Sequence, residues 1–303
     1  MYHYVRDASR SRYPGFAALS LRNFERQLDH LQRHFRIVAI EEILQWRDAD
    51  LPAAVLTFDD GYLDHFTTVF PILEQRKLRA AFYPIAMPDG PALAEVNKIH
   101  VLLASAPSIS DVVNGLKDIL AGEEFQLAGC GVDAMWAQFG KPGRFDAAEV
   151  HFVKRTLQRG LPQPLRSLAV DLLFAKFAGI SEETLAAEFY ATPTQLRMML
   201  SHGHHIGAHT CRHDWLDSMP AAEVAGELRN SLAWLEAENL GGDVKSIAYP
   251  YGGFNEQVVE ECSAAGFQIG WTTQSREVQF PGDQLLTLPR FDTNEIRPEP
   301  SRV

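Results

Sequence analysis

Two short segments carry the residues with the clearest chemical potential in this 303-residue sequence. The first is Thr57-Phe58-Asp59-Asp60-Gly61, and the second, about 150 residues later, is His209-Thr210-Cys211-Arg212-His213. Together they offer two adjacent carboxylates and two imidazoles four residues apart. Two imidazoles and one carboxylate can hold a divalent metal and leave positions open for water and substrate. The other carboxylate would stay free as a base, so the pattern points to metal-assisted hydrolysis.

Each segment also has a simpler interpretation. An Asp-Asp-Gly sequence fits a solvated turn or a helix N-cap, although adjacent carboxylates repel unless a cation or a shared proton relieves them. The two-histidine, one-carboxylate set would equally suit iron in an oxygenase. The spare carboxylate favours hydrolysis, because an activated water needs a nearby base. The neighbouring histidines are interpreted as surface or helix-end residues and not as ligands: His202, His204 and His205.

Three further features could contribute to the same site. The segment Tyr249-Pro250-Tyr251-Gly252-Gly253 ends a predicted strand and is either a simple turn or a source of backbone N–H groups for an oxyanion hole. Arg290 is either a surface residue or a buried arginine that orients a catalytic carboxylate. Trp271 is either a core residue or a wall of the substrate site.

Composition excludes several classes of protein. The net charge is −11 and there is no basic stripe, which argues against nucleic acid or an anionic membrane surface as the main partner. No stretch approaches the roughly 20 apolar residues of a membrane span, and the N-terminus lacks the apolar core of a signal peptide. The widely spaced Cys130, Cys211 and Cys262 fit a reducing compartment. We therefore expect a cytoplasmic protein, unless a leader has been removed.

The hydrophobic pattern predicts alternating strands and helices at both ends of the chain. A helix begins after Ser20, strands are expected at 37–40, 53–58 and 80–85, and a helix at 68–76. The alternation resumes at Thr192 with a capping-box start. It continues with strands at 205–208, 246–248 and 268–273 and helices at 221–239 and 255–265. Such alternation is typical of βαβ units in a parallel sheet or barrel.

The middle of the chain differs in character. Residues 88–191 show helical periodicity at 109–120, 147–161, 164–177 and 182–190, with few strand signals. The predicted organisation is therefore an α/β part formed by 1–87 and 192–296, a helical insertion at 88–191, and a tail at 297–303. An insertion of this length between barrel elements would serve as a lid or as a contact in a homodimer.

Taken together, the motifs resemble those of the polysaccharide deacetylases of carbohydrate esterase family 4, the NodB homology domain. Thr57–Gly61 resembles the first family motif, residues 203–216 the second, and residues 247–252 the third, with an aromatic residue before Pro250 where other members carry Arg. Residues 264–267 and the later Thr272-Thr273 also match. The resemblance covers about residues 1–86 and 192–295.

The resemblance implies a distorted (β/α)7 barrel of the NodB type. It implies that Asp60, His209 and His213 bind one divalent metal, usually zinc, with cobalt, nickel or manganese as alternatives. Asp59 would be the base that activates water. The backbone of Tyr251 would hold the oxyanion, and the neighbouring substrate-side positions would be Tyr249, Pro250, Gly252 and Trp271.

Two departures from the family pattern leave the general acid unassigned. The later motif with an Asp and an aromatic residue is not evident near Trp271, and the Leu-x-His near the end is absent. Arg290 stands where a related branch has an arginine that tethers the base. The start of the chain resembles a Tyr-His stretch of the same branch, which makes His3 a candidate acid or site-lining group.

The function implied is hydrolysis of an N-acyl group, with N-acetyl as the first expectation, from an amino sugar. A cytoplasmic enzyme would act on a nucleotide-linked, lipid-linked or other precursor of surface polysaccharide. The alternatives are a deformylase or O-deacetylase that uses the same site, and a catalytically degenerate carbohydrate-binding protein.

Overall fold

Short parallel strands form the framework that carries the candidate residues. The computed structural model describes residues 1–45, 52–280 and 282–297. Strand β1 pairs with β2, strands β3, β4 and β5 form a three-stranded sheet, and β6 pairs with β7, every pair being parallel. The strands are β1 (Arg36–Ile37), β2 (Ala53–Ala54), β3 (Thr57–Asp60), β4 (Ala81–Pro84), β5 (His205–Ile206), β6 (Ser246–Ala248) and β7 (Ile269–Trp271).

The α/β class predicted from the alternation is confirmed, whereas the strands among the described residues do not form a closed barrel. The described strands form separate small sheets. Isolated β-bridges extend these sheets and join Tyr2 to Phe58, Ala208 to Ile247 and Trp271 to Leu288. Several strands are also shorter than predicted. Strand β1 ends at Ile37, and a 3₁₀ helix already begins at Ile40, within the range expected for the strand. Strand β5 ends at Ile206.

Helices make up most of the remaining regular structure. Twelve α-helices lie within the described residues: α1 (Leu21–His34), α2 (Phe70–Arg76), α3 (Glu95–Ser105), α4 (Ile109–Leu120), α5 (Glu123–Leu127), α6 (Val132–Phe139), α7 (Ala148–Arg155), α8 (Leu165–Phe177), α9 (Glu182–Phe189), α10 (Pro193–Ser201), α11 (Ala221–Ala237) and α12 (Glu256–Ala264). A π-helical turn at His65–Val69 leads into α2, and another at Thr156–Gly160 follows α7.

Local sequence signals explain where several helices begin. The Ser20 side chain accepts a hydrogen bond from the N–H of Asn23 at the start of α1, as an N-cap does. At α10 the reciprocal bonds of a capping box join Thr192 and Gln195, as the sequence predicts. The buried face of α1, including Phe24 and Leu28, then packs into the apolar core beside β3.

The chain divides into two compact units. The first comprises Met1–Asp7, Ala18–Pro91 and the residues from Ala187 onward, and it contains every strand named above. The second comprises Ala8–Ala17 and Ala92–Ala186, so it includes an N-terminal piece that the alternation did not indicate.

The second unit is helical and has its own core. Helices α3 to α8 and the turn after α7 enclose a cluster of fully buried side chains such as Leu116, Phe152 and Leu173. The Lys98 ammonium group is paired with Asp171 at 2.9 Å and with Glu182 at 2.7 Å. The helical content of this region is what its apolar periodicity predicts.

None of the helices in the described part of the chain combines the length and the apolar character that a membrane crossing requires. Most of the predicted tail, residues 298–303, lies outside the described residues.

Candidate metal centre

The first acidic segment lies at the carboxyl end of β3. All four residues of this strand are buried, and Asp60 is its last residue. Asp60 and Gly61 both have positive φ angles, 75° and 73°. An added Cβ at Gly61 would lie 2.6 Å from the Cβ of Pro84 on the adjacent strand, so only glycine fits there. The resulting sharp turn separates the directions of the two adjacent carboxylates.

The histidine segment follows β5 and is held as a structured loop. His213 has a φ of 57°, and its backbone N–H donates to the Thr210 hydroxyl at 3.1 Å. The Glu227 carboxylate on α11 accepts hydrogen bonds from the backbone N–H groups of Cys211 and Arg212 at 2.9 and 3.1 Å. These bonds fix a turn in which both imidazoles point inward.

The two segments meet in a buried cluster. Oδ1 of Asp60 lies 3.2 Å from Nε2 of His209 and 3.3 Å from Nε2 of His213. The three ligand atoms lie within 4.8 Å of one another, and each of the three residues is buried. Among the described residues this is the one such group of His, Cys, Asp or Glu side chains. The structure therefore brings together the residues that the sequence proposed as ligands.

The donor set suits a divalent cation. Nδ1 of His209 lies 2.7 Å from the carbonyl oxygen of Ala248, which can only accept, so Nδ1 carries the hydrogen. In its neutral form His209 directs the lone pair of Nε2 at Oδ1 of Asp60, a buried oxygen without a hydrogen-bond partner. Two acceptors in this position repel unless a cation or a proton lies between them. A carbonyl that fixes the far ring nitrogen is the usual support of a metal-binding histidine.

The charges of the cluster shift its pKa values in opposite directions. Burial opposes ionisation of Asp60, but the two imidazoles outweigh it and hold its pKa well below the usual range. For His209, burial lowers the pKa, and the carboxylates of Asp60 and Asp59 more than compensate and raise it. For His213, burial prevails and the pKa is lowered. The site therefore favours an ionised carboxylate beside imidazoles.

Asp59 is paired with Arg290 in a buried, bidentate ion pair. Nη1 of Arg290 donates to Oδ1 of Asp59 and Nη2 to Oδ2, both at 2.8 Å. Arg290 is itself fixed, because its Nε donates to the carbonyl of Thr272 at 3.0 Å and its Nη1 contacts the Thr57 hydroxyl at 3.2 Å. Burial alone would raise the pKa of Asp59, but Arg290 and His209 lower it to about 2. The alternative of a surface arginine is wrong, since Arg290 is 5% exposed.

Replacing Arg290 by Lys tests how the guanidinium supports Asp59. Lysine keeps the positive charge but lacks the planar pair of donors that matches both carboxylate oxygens. We expect kcat to fall by about 10–100-fold while zinc content and KM stay near the wild-type values. Steady-state kinetics on zinc-loaded protein would measure this, and an unchanged kcat would show that the bidentate geometry is unimportant.

The Tyr249–Gly252 segment offers fewer free donors than the sequence suggested. The N–H of Tyr249 donates to the Trp271 carbonyl at 3.1 Å, the N–H of Gly252 donates to the Tyr249 carbonyl at 2.8 Å, and Pro250 has no N–H. Tyr251 has a φ of 58°, and its ring meets the His213 ring edge-on with 4.6 Å between centroids. Tyr251 remains the predicted oxyanion donor, and Tyr249, Pro250 and Gly252 remain predicted substrate-side positions.

Trp271 and His3 occupy different surroundings. Trp271 is 4% exposed and its indole N–H donates to the Tyr83 hydroxyl at 2.5 Å, so the structure favours the core interpretation. His3 is half-buried, and its imidazole lies close enough to influence the pKa values of Asp59 and Asp60. Its backbone carbonyl accepts from the His65 ring at 2.8 Å, which anchors the N-terminal segment beside the site.

The expectation that the neighbouring histidines lie at the surface is wrong for two of them. His204 and His205 are buried, whereas His202 is exposed at the end of α10. His204 contacts Glu74 through Nε2 at 3.2 Å, and burial lowers its pKa to about 4. His205 lies between Glu41, at 3.1 Å, and the Ser246 hydroxyl, at 2.7 Å. They are polar core residues and do not join the cluster.

Backbone strain is concentrated at the site. Six non-glycine residues in the described part of the chain have positive φ angles, and four of them belong to the motifs: Asp60, Thr210, His213 and Tyr251. Such conformations cost free energy and persist where function requires a particular side-chain direction.

Tyr62 also contacts the cluster, although the sequence motifs did not single it out. Its hydroxyl donates a hydrogen bond to Oδ2 of Asp60 at 2.6 Å.

The comparisons with known proteins agree with this geometry. The family model for polysaccharide deacetylases matches residues 47–100 and 173–270, just over half of the chain. The chain therefore belongs to the polysaccharide deacetylase family, as the motifs predicted. The search of curated proteins finds no match.

Solved structures share the fold at low sequence identity. The deacetylase PplD from Streptococcus pyogenes is 16% identical with a TM-score of 0.55, and the match covers 96% of this chain and 89% of that one. IcaB from Ammonifex degensii is 21% identical over the same shares of the two chains, with a TM-score of 0.53. A de-N-acetylase from Aggregatibacter actinomycetemcomitans is 16% identical over 97% and 94%, with a TM-score of 0.53.

Proposed function

We propose that this protein is a metal-dependent deacetylase that hydrolyses the N-acetyl group of an amino sugar. The observation that carries the proposal is the buried Asp60, His209 and His213 cluster beside the ionised carboxylate of Asp59. Membership of the polysaccharide deacetylase family supports the same reaction, and one of the structures with a similar fold is a de-N-acetylase. We also propose that the parallel strands belong to a distorted (β/α)7 barrel, as expected for the NodB type.

Asp60, His209 and His213 would hold the metal, with zinc as the first candidate because imidazole and carboxylate ligands suit it. When bound, the ion would supply Lewis-acid stabilisation of developing negative charge on oxygen. His209 is held in the required tautomer by the Ala248 carbonyl, and Asp60 keeps one oxygen directed at both imidazoles. Cobalt, nickel and manganese are alternatives that the donor set also accepts.

The remaining groups would move protons and orient the acyl group. Asp59, kept ionised and fixed in direction by Arg290, would accept a proton from the attacking water. The N–H of Tyr251 would donate to the oxyanion that forms at the acyl carbon. The leaving amine requires a proton, and His3 is the candidate donor because its imidazole lies within electrostatic range of both carboxylates.

The helical unit would act in substrate choice or in self-association. Every candidate site residue belongs to the first unit, and the helical unit has a separate core. A lid or a dimer contact therefore remains the role proposed for it. The substrate classes proposed are a nucleotide-linked sugar, a lipid-linked sugar and another precursor of surface polysaccharide, alongside the polymer itself.

A panel of acylated sugars tests the proposal. Zinc-loaded protein would be incubated with N-acetylglucosamine oligomers, a nucleotide-linked N-acetyl sugar, N-formyl analogues and O-acetylated sugars, and the released acid and free amine would be measured. We expect acetate and free amine in equal amounts from an N-acetyl substrate. Release only from formyl or O-acetyl substrates would support the alternative enzymes. Sugar binding without any release would support a carbohydrate-binding protein.

A further inference from the structure

The two oxygens of the Asp60 carboxylate have different environments. Oδ1 faces the Nε2 atoms of His209 and His213 at 3.2 and 3.3 Å and has no hydrogen-bond partner. Oδ2 accepts a short hydrogen bond from the Tyr62 hydroxyl at 2.6 Å. Hydrogen bonds to an ionised acceptor are short and strong, so this bond fixes the rotation of the carboxylate plane.

We propose that Tyr62 is a positioning residue that restricts Asp60 to binding the metal through one oxygen. The inference rests on the proposed metal site and adds to it a residue that sets the coordination geometry. A carboxylate that binds through both oxygens would occupy an extra coordination position. With Oδ2 held by the Tyr62 hydroxyl, that position stays available to water and to the acyl oxygen. Groups that orient a ligand in this way commonly change metal affinity or activity when removed.

The Tyr62 ring is held firmly enough to perform this role. Tyr62 is fully buried, and its ring stacks on Tyr4 with a centroid distance of 3.9 Å and an interplanar angle of 19°. The Arg6 guanidinium lies over the Tyr4 ring, 5.0 Å from its centroid, and its Nη2 is paired with Oδ1 of Asp64 at 2.7 Å. The backbone N–H of Val5 donates to Oδ2 of Asp64 at 2.7 Å. The N-terminal segment thus packs against the face of the Tyr62 ring and holds it in place.

A simpler interpretation is that Tyr62 is a core residue whose hydroxyl merely needs a partner. Buried tyrosine hydroxyls usually find a hydrogen-bond partner, and Asp60 would satisfy that need. This interpretation predicts an effect on folding stability alone. The positioning role predicts, in addition, a change in metal affinity and in the coordination of the ion. Metal binding therefore separates the two.

The test compares Tyr62→Phe with the matched variant Tyr2→Phe. Both remove one buried hydroxyl, but that of Tyr2 has no hydrogen-bond partner and its ring stacks on Phe58. Zinc affinity would be measured by competition with a chelator, and cobalt-loaded protein would be examined by visible absorption. We expect zinc to bind about 10–100-fold more weakly to Tyr62→Phe, with an altered cobalt spectrum. Tyr2→Phe is expected to match the wild type in both measurements.

The outcomes separate this inference from the proposed function. If Tyr62→Phe binds zinc within about two-fold of the wild type and keeps its cobalt spectrum, the positioning role is wrong while the metal site stands. If the wild-type protein binds neither zinc nor cobalt, the proposed metal-dependent function is wrong, and the role of Tyr62 that rests on it is wrong as well. Should Tyr62→Phe not fold, 3-fluorotyrosine at position 62 keeps the ring and the hydroxyl but makes it a stronger donor. A stronger hydrogen bond to Oδ2 makes the carboxylate a weaker ligand through Oδ1, so the inference predicts a shifted cobalt spectrum in that protein, and an unchanged spectrum would overturn it.

Discussion

Replacing Asp59 by Asn is expected to lower kcat by about 10²–10⁴-fold while one zinc ion per chain is retained. The amide has nearly the same shape as the carboxylate but cannot accept a proton from water. Asp59 has no place in the Asp60, His209 and His213 group, so the ligand set is unchanged. The measurements are kcat on the substrate found in the panel and zinc content by elemental analysis.

The Asp59→Asn variant needs a control for the effect of breaking the ion pair with Arg290. Arg290 is buried, and removing the charge of Asp59 leaves its guanidinium without a counter-charge, which lowers stability. Asp283→Asn makes the same change in another bidentate pair, in which the half-buried Asp283 accepts from the exposed Arg276 at 2.7 and 2.6 Å. Its kcat should stay within about two-fold of the wild type. A folded Asp59→Asn protein with wild-type kcat would remove Asp59 as the base.

Sequence patterns predicted the elements whose signals are local. The helix after Ser20 and the capping box at Thr192 depend on residues three or four positions apart, and both are present as expected. The carboxyl ends of β3 and β5 carry the acidic and histidine segments, which the apolar runs before them indicated. Several strand lengths were overestimated, because an apolar run does not reveal where its pairing with a partner strand that is distant in sequence ends.

The environments of single side chains were harder to predict because their partners are distant in sequence. His205 is buried through contacts with Glu41 and Ser246, which lie 164 and 41 residues away. A run of histidines near a helix end gives no sign of such partners. Arg290 reaches Asp59 across 231 residues, and its support role was one of two alternatives until the family resemblance favoured it.

The position of Tyr62 directly after the first motif is a local signal for its contact with Asp60. It lies two residues after Asp60, beyond a glycine with positive φ, so the turn can direct its hydroxyl back to the carboxylate. The clamp from Tyr4 and Arg6 has no comparable signal, because a stacked ring and a cation above it require the folded position of the N-terminus. The metal-binding residue types could thus be proposed from type and spacing, whereas the contacts that hold Tyr62 in place could not.

Replacing His209 by Ala is expected to weaken zinc binding by at least about 10²-fold and to abolish zinc-dependent stabilisation. The variant loses the imidazole whose Nε2 lies 3.2 Å from Asp60 and whose tautomer is fixed by Ala248. An ion that binds only the folded state stabilises it by an amount that grows with the logarithm of the ion concentration divided by Kd. Added zinc should therefore raise Tm of the wild type and not that of the variant.

A buried histidine five residues before His209 provides the matched control for this experiment. His204 is 2% exposed, as His209 is, but it contacts Glu74 and the N–H of Ala80 and not the cluster. His204→Ala should therefore lower Tm through the cavity it creates, yet keep both the zinc content and the increase in Tm with added zinc. The comparison separates loss of a ligand from loss of packing. Equal zinc affinity in the wild type and His209→Ala would mean that the ion binds elsewhere, and the assignment of Asp60, His209 and His213 as its ligands would have to be abandoned.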